Sequence, residues 1–148
     1  MVTSFLPSRI CENDNGVVND SPMKKILVVD DENDVAELFS FNLRAAGFEV
    51  ITAANGQEAL GKARALMPGL ILLDVMLPEI DGFEVCRLLR QDPLTRQIPI
   101  IMLTAMVSEI SRLVGLESGA DEYLTKPLSP RQLVSRVSGL VKIGRAHV

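Results

Sequence analysis

The sequence predicts an α/β fold, a parallel sheet covered by helices on both faces. Three observations carry that expectation. Five apolar runs of strand length recur along the chain, at 26–29, 50–53, 70–73, 98–103 and 123–124. They are nearly continuous rather than alternating, as strands buried on both sides are. The segments between them have helical spacing.

The elements follow in order. After the run at 26–29, Val35, Leu38, Phe39 and Leu43 form one apolar helical stripe. Ala59, Ala63 and Leu66 suggest a second helix with a small-residue face. Ile110, Leu113 and Val114 mark another, with Ser108 as N-cap and Glu109 in the first turn. Leu133, Val134, Val137, Leu140 and Val141 form the stripe of the last helix. Gly47, Gly69 and Gly119 stand where helices are expected to end.

Composition sets the bounds. The chain has 148 residues, as a soft prior one domain, with 47% hydrophobic, 23% charged and 4% aromatic residues and no Trp. That apolar fraction excludes wholesale disorder and supplies a core of Leu, Ile, Val and Ala. A net charge of −4 argues against nucleic-acid binding through the overall field of this fragment. Two cysteines, Cys11 and Cys86, are too few for a disulfide framework or a zinc site. No apolar run approaches the roughly 18 residues of a membrane span. The N-terminus lacks the basic start and apolar core of a secretion signal, so the chain reads as soluble, intracellular and cytoplasmic.

Residues 1–22 are rich in Asn, Asp, Ser and Pro without a sustained period, and read as a poorly ordered tail. Met23 opens MKKILVVDDE, which looks like a natural start, so the preceding stretch is expected to be a non-native extension. The expected folded unit is 23–142. The last six residues, IGRAHV at 143–148, break the period of the final helix and resemble the translation of a common sequencing-adapter oligonucleotide. They are expected to be a read-through artefact of a frame that continued past Lys142, the alternative being a frayed native C-terminus.

The chemistry-bearing residues converge. Asp30 and Asp31 follow the first strand, Asp74 ends the third, Thr104 ends the fourth, and Lys126 follows the fifth. In a parallel sheet these strand ends share one edge, where open α/β folds place ligands. Taken singly, each residue has a plainer reading. Asp31 or Asn33 could cap the first helix, Asp74 could be a turn residue, Thr104 a strand threonine and Lys126 a solvated lysine. Together they make a hard oxygen cluster whose repulsion a cation relieves, Mg²⁺ or Mn²⁺ rather than zinc. Lys126 adds a second positive charge and Thr104 a hydroxyl. Those are the parts of a phosphoryl-transfer site, with Asp74 as the nucleophile that would become an aspartyl phosphate.

The motifs VVDDE around Asp30 and Asp31, LILLDVMLPEIDG around Asp74, IIMLTA ending at Thr104 and Ala105, and GADEYLTKP with Tyr123, Lys126 and Pro127 occur in one order. Over residues 24–142 the chain resembles the receiver domain of two-component response regulators. The resemblance implies a flavodoxin-like (βα)₅ domain with strand order 2-1-3-4-5. It implies a Mg²⁺-dependent phosphorelay in which a histidine kinase or phosphotransfer protein donates to Asp74. Asp31, Asp74 and the Met76 carbonyl would hold the metal, with Asp30 acting mainly through water. Lys126 would contact the phosphoryl group, aimed by a cis bond to Pro127. Such a chain is a switch that catalyses only its own phosphorylation and dephosphorylation, and no enzyme in the ordinary sense.

Switching, on the same resemblance, draws the Thr104 hydroxyl inward past the small Ala105 and turns Tyr123 from an exposed to a buried rotamer. Tyr123 also reads as a plain edge-strand aromatic. Met76 and Met106 lie two residues beyond Asp74 and Thr104, and neither can orient a hydrolytic water. Phosphate loss is therefore expected to be slower than seconds, although both also read as gap-filling methionines. The last helix resembles that of receivers preceding a winged-helix DNA-binding domain, which dimerise through helix 4, strand 5 and helix 5. Arg112, Glu122 and Arg136 match the ion-pairing positions of that face. Gln132 stands where that subfamily usually has an acid, which weakens the homodimer expected on phosphorylation. DNA binding would then belong to a missing C-terminal domain; single-domain receivers and other output modules are the alternatives.

Three competing classes fit less well. An aspartyl-nucleophile phosphatase should carry Asp-x-Asp, but Val75 and Met76 follow Asp74. A flavin or nucleotide binder should have a Gly/Ser/Thr-rich first loop, whereas Asp30-Asp31-Glu32 repels phosphate. A receiver that had lost phosphorylation would not keep the full set of acids, Thr and Lys.

Overall fold

The computed structural model describes residues 24–143. Five strands alternate with five helices: β1 Lys25–Val29, α1 Asn33–Ala45, β2 Glu49–Ala53, α2 Gly56–Leu66, β3 Leu70–Leu73, α3 Gly82–Gln91, β4 Ile100–Thr104, α4 Glu109–Ser118, β5 Glu122–Thr125 and α5 Pro130–Ile143. All strand pairings are parallel, in the order β2-β1-β3-β4-β5. Residues 1–23 and 144–148 lie outside the described residues, and so do the expectations placed on both tails, except that α5 includes Ile143.

Successive strand side chains point to opposite faces, so each apolar run feeds two cores. Leu27, Val29, Ile71, Leu73, Ile100 and Met102 pack with Ala59 and Ala63 of α2 and with Val85, Cys86 and Leu89 of α3. Ile26, Val28, Leu70, Leu72, Ile101 and Leu103 pack with Ala36, Phe39 and Leu43 of α1 and Leu133 and Val137 of α5. Every residue of β3 is buried. The edge strands β2 and β5 carry partly exposed positions, among them Thr52 and Thr125.

Several expected details shift. β4 begins at Ile100, because the Pro99 nitrogen has no hydrogen to donate, while its carbonyl accepts from Ile71 N–H at 2.9 Å. The end of α2 falls on Met67, which is left-handed at φ 48°, and not on Gly69, whose N–H donates to the Lys25 carbonyl at 2.8 Å. Gly47 and Gly119 do take the left-handed conformation after α1 and at the end of α4. α1 starts after Glu32 with no side-chain cap, so neither Asp31 nor Asn33 performs that duty.

The helix stripes need the larger correction. Leu38 and Leu66 are exposed, and Ile110 and Leu113 of α4 are 74% and 54% exposed. The face that α4 buries is made of Ser111, Gly115 and Ser118. The N-terminus of α4 is as expected: Ser108 Oγ accepts from Ser111 N–H at 3.0 Å, with Glu109 in the first turn.

Candidate functional site

The site is built where the sheet's hydrogen-bond ladder runs one residue past the strand ends. Asp30 N–H donates to the Ala53 carbonyl at 3.1 Å, Asp74 N–H to Val29 at 3.0 Å, and Lys126 N–H to Thr104 at 2.8 Å. Parallel register therefore brings residues 44 and 96 positions from Asp30 into side-chain contact with each other's partners; the Lys126 ammonium bridges Asp30 Oδ2 at 2.8 Å and Asp74 Oδ2 at 3.2 Å. The other oxygens are also occupied. Asp30 Oδ1 accepts from Glu32 N–H at 2.9 Å, and Asp74 Oδ1 from Met76 N–H at 3.1 Å.

Asp30 and Asp74 are buried and Asp31 is exposed, and carboxylate oxygens of all three lie within 4.8 Å of one another. Burial alone would push the Lys126 ammonium down. The Asp30 hydrogen bond and the charges of Asp74 and Asp30 outweigh that and hold it above the usual lysine range. Three carboxylates thus face one ammonium, so the cluster keeps an excess of negative charge open to solvent on the Asp31 side. Hard oxygen donors with that surplus suit a divalent cation such as Mg²⁺.

The remaining expected residues surround this cluster. Thr104 is fully buried at the end of β4, and its Oγ1 accepts from Met106 N–H at 3.4 Å. Ala105 is exposed, and Lys126–Pro127 is a cis peptide. Tyr123 sits inward at 2% exposure, its hydroxyl donating to the Met106 carbonyl at 2.9 Å. Burial pushes its phenol up, partly opposed by a hydrogen bond with Ser111. Met76 is exposed, while Met106 packs against the core.

Arg112, Glu122 and Arg136 gather on one face but bond within the chain. Arg136 Nη1 pairs with Glu122 Oε2 at 3.1 Å, and Arg112 Nη1 donates to the Tyr123 carbonyl at 3.1 Å. Gln132 lies in the first turn of α5, its N–H donating to Ser129 Oγ at 3.1 Å.

Two contributors had escaped the sequence reading. Gly82 opens α3, and its N–H donates to the Val75 carbonyl at 2.8 Å. A Cβ there would collide with the Asp74 carbonyl oxygen and stand 2.7 Å from Val75 Cα. Ser111 is buried on the inward face of α4, its Oγ accepting from Ser108 Oγ at 2.9 Å. A glycine at a helix start, where alanine would serve the helix better, was the available signal for the first. None existed for the second.

An acidic triad and a lysine at the carboxyl edge of a β2-β1-β3-β4-β5 sheet define a phosphorelay signalling domain of the flavodoxin-like class. The family model "response regulator receiver domain" matches residues 26–138, and the chain belongs to that family. It is 53% identical over 119 residues, 80% of its length, to the alkaline phosphatase synthesis transcriptional regulatory protein PhoP of Bacillus subtilis, covering 49% of that protein. It is 46% identical over 118 residues, 80% of its length, to the DNA-binding response regulator MtrA of Mycolicibacterium smegmatis, covering 50% of it. The chain thus spans about half the length of the curated relatives it matches. Among solved structures, chemotaxis response regulator CheY4 of Vibrio cholerae superposes with a TM-score of 0.76 at 36% identity, over 80% of this chain and 99% of that one. The Francisella response regulator 1452 receiver domain gives 0.76 at 34%, over 81% and 98%. These relatives are regulators, not enzymes of metabolism. No helix among the described residues is long and apolar enough to cross a membrane.

Proposed function

We propose that Asp74 is the phosphoacceptor of this receiver, taking a phosphoryl group from a phosphohistidine of a sensor kinase or phosphotransfer protein. The observation that carries this reading is the Lys126 ammonium bridging the buried carboxylates of Asp74 and Asp30. A carboxylate oxygen of Asp74 bonds to phosphorus as the phosphorus–nitrogen bond to the donor imidazole breaks, and the imidazole leaves with the electron pair. Lys126 stands where it can pass from the carboxylates to the incoming phosphoryl oxygens. Asp30, Asp31, Asp74 and the Met76 carbonyl would hold Mg²⁺ or Mn²⁺, which when bound offsets the negative charge gathering on the phosphoryl oxygens. Thr104 then donates its hydroxyl to the new group, with Ala105 leaving room and the Tyr123 position responding across the α4–β5–α5 face. The receiver domain of DrrB, 36% identical over 82% of this chain, is activated by BeF3.

The output we infer is transcriptional, as it is for the regulators PhoP and MtrA, through a DNA-binding segment outside these 148 residues. The folded unit would run from Met23 to about Lys142 and work in the cytoplasm. Homodimers formed on phosphorylation would use Arg112, Glu122 and Arg136, after the Glu122–Arg136 pair within the chain opens.

Incubation with Mg²⁺ and acetyl phosphate tests the acceptor. The parent chain gains about 80 Da, the mass of one phosphoryl group, and Asp74→Asn does not. The adduct outlasts seconds if neither Met76 nor Met106 directs a water. An unchanged mass in the parent, under conditions where metal and donor are in excess, would overturn the assignment.

A further inference from the structure

We propose that Gly115 is the residue that admits Tyr123 to its inward seat, and that Tyr123 so seated holds the entry to α4 through the Met106 carbonyl. The proposal rests on the switch reading above and adds to it a residue whose only contribution is the space it leaves.

The Tyr123 ring lies against α4 at the one helical position without a side chain. A Cβ on Gly115 would stand 2.7 Å from Tyr123 Cδ2, 3.1 Å from Cε2 and 3.0 Å from Met102 Sδ. Ordinary carbon contacts are about 3.5–4.0 Å. Met102 is fully buried in β4, and the ring is held inward by its hydroxyl on the Met106 carbonyl. Glycine weakens a helix interior relative to alanine, so its presence here calls for a spatial reason. Gly61 within α2 and Gly139 within α5 make the contrast, since a Cβ on either would meet nothing within 4 Å.

The seat is wired to the N-terminus of α4. The Tyr123 hydroxyl holds the Met106 carbonyl at 2.9 Å, two residues before the N-cap Ser108. Ser111 Oγ lies 2.9 Å from Ser108 Oγ, the N-cap atom that also accepts the Ser111 N–H at 3.0 Å. Removing the ring frees the Met106 carbonyl and with it the segment that leads into this cap. An open groove of about 350 Å³ beside the ring, bordered by Arg112, Leu116, Glu122 and Arg136, offers the outward position. Gly115 therefore sets whether the α4–β5–α5 face carries an aromatic ring.

Tyr123 is the only tyrosine and the chain has no tryptophan, so intrinsic fluorescence reports on this ring alone. In the full chain, before any phosphodonor is added, acrylamide should quench Tyr123 weakly in the parent and in Gly61→Ala. Gly115→Ala should raise the quenching constant towards that of free tyrosine, and hydrogen exchange of the Ser111 and Arg112 amides should quicken. A Gly115→Ala protein as protected as the parent would overturn the seat. Unchanged amide exchange would overturn its coupling to α4. Should Gly115→Ala fail to fold, the same substitution is made in a Tyr123→Ala background and compared with Tyr123→Ala by urea unfolding. A cost that largely vanishes there supports the proposal, and a full cost or failure to fold there refutes it. Mass gain at Asp74 is read separately in the parent; its absence would remove the switch reading and leave the quenching result standing.

Discussion

Gly82 and Tyr123 show how far single residues decide this site. Gly82 allows the start of α3 to press on the peptide that carries Asp74. The atoms in the way are backbone, which cannot rotate aside. Gly82→Ala should destabilise the domain by about 2–3 kcal/mol, as overpacking does, and slow phosphoryl uptake by moving Asp74. Urea unfolding and timed mass spectrometry check both effects. Tyr123 contributes to alkaline stability alongside the raised Lys126 ammonium. Its phenol is raised from 10.0 by burial, so the neutral form is favoured in the fold. That contribution is whole below the unfolded value and is lost as pH climbs through the folded one. Unfolding free energy should therefore fall from about pH 10 upward, and Tyr123→Phe should flatten this part of the fall. At this scale the sequence exposed Asp30, Asp31, Asp74, Thr104 and Lys126, because strand ends in a parallel sheet must share an edge. It hid Gly82 and Ser111, whose importance lies in what approaches them.

α4 is the element on which sequence and structure part. Helical periodicity locates an apolar stripe without saying that the stripe faces the core. Ile110 and Leu113 look outward with Val107, while Ser111, Gly115 and Ser118 face inward, and at Gly115 the Tyr123 ring leaves no room for a side chain. Replacing Ile110 or Leu113 by Ser should change stability by less than about 0.5 kcal/mol, as exposed substitutions do. Leu133→Ala in α5, whose stripe was read correctly and is fully buried, should cost about 3 kcal/mol. Parallel urea titrations of the three variants make the comparison. The strands were legible because they are buried on both faces. The cap at Met67 was not, since a methionine in the left-handed region has no sequence signature.

For the molecule as a whole, electrostatics separates folding from function. Net charge is −4, and three of the acids are gathered at one edge with a single ammonium among them. Like charges held together cost stability until a cation binds. Mg²⁺ at a hundred times its dissociation constant should stabilise the folded state by about 2.7 kcal/mol. EDTA should remove that gain, and Asp31→Asn should abolish most of it while raising the stability of the metal-free protein. Thermal unfolding with and without the ion reads all three. The sequence by itself determined the five strands, four of the five helices and the convergence of five polar side chains, because apolar runs and chain order leave a parallel α/β fold little freedom. Only the tertiary structure decided which helical faces are buried, that Tyr123 lies inward, and that Glu122 and Arg136 pair within the chain. Those outcomes depend on distances between segments far apart in sequence, and no local pattern of residues encodes a distance.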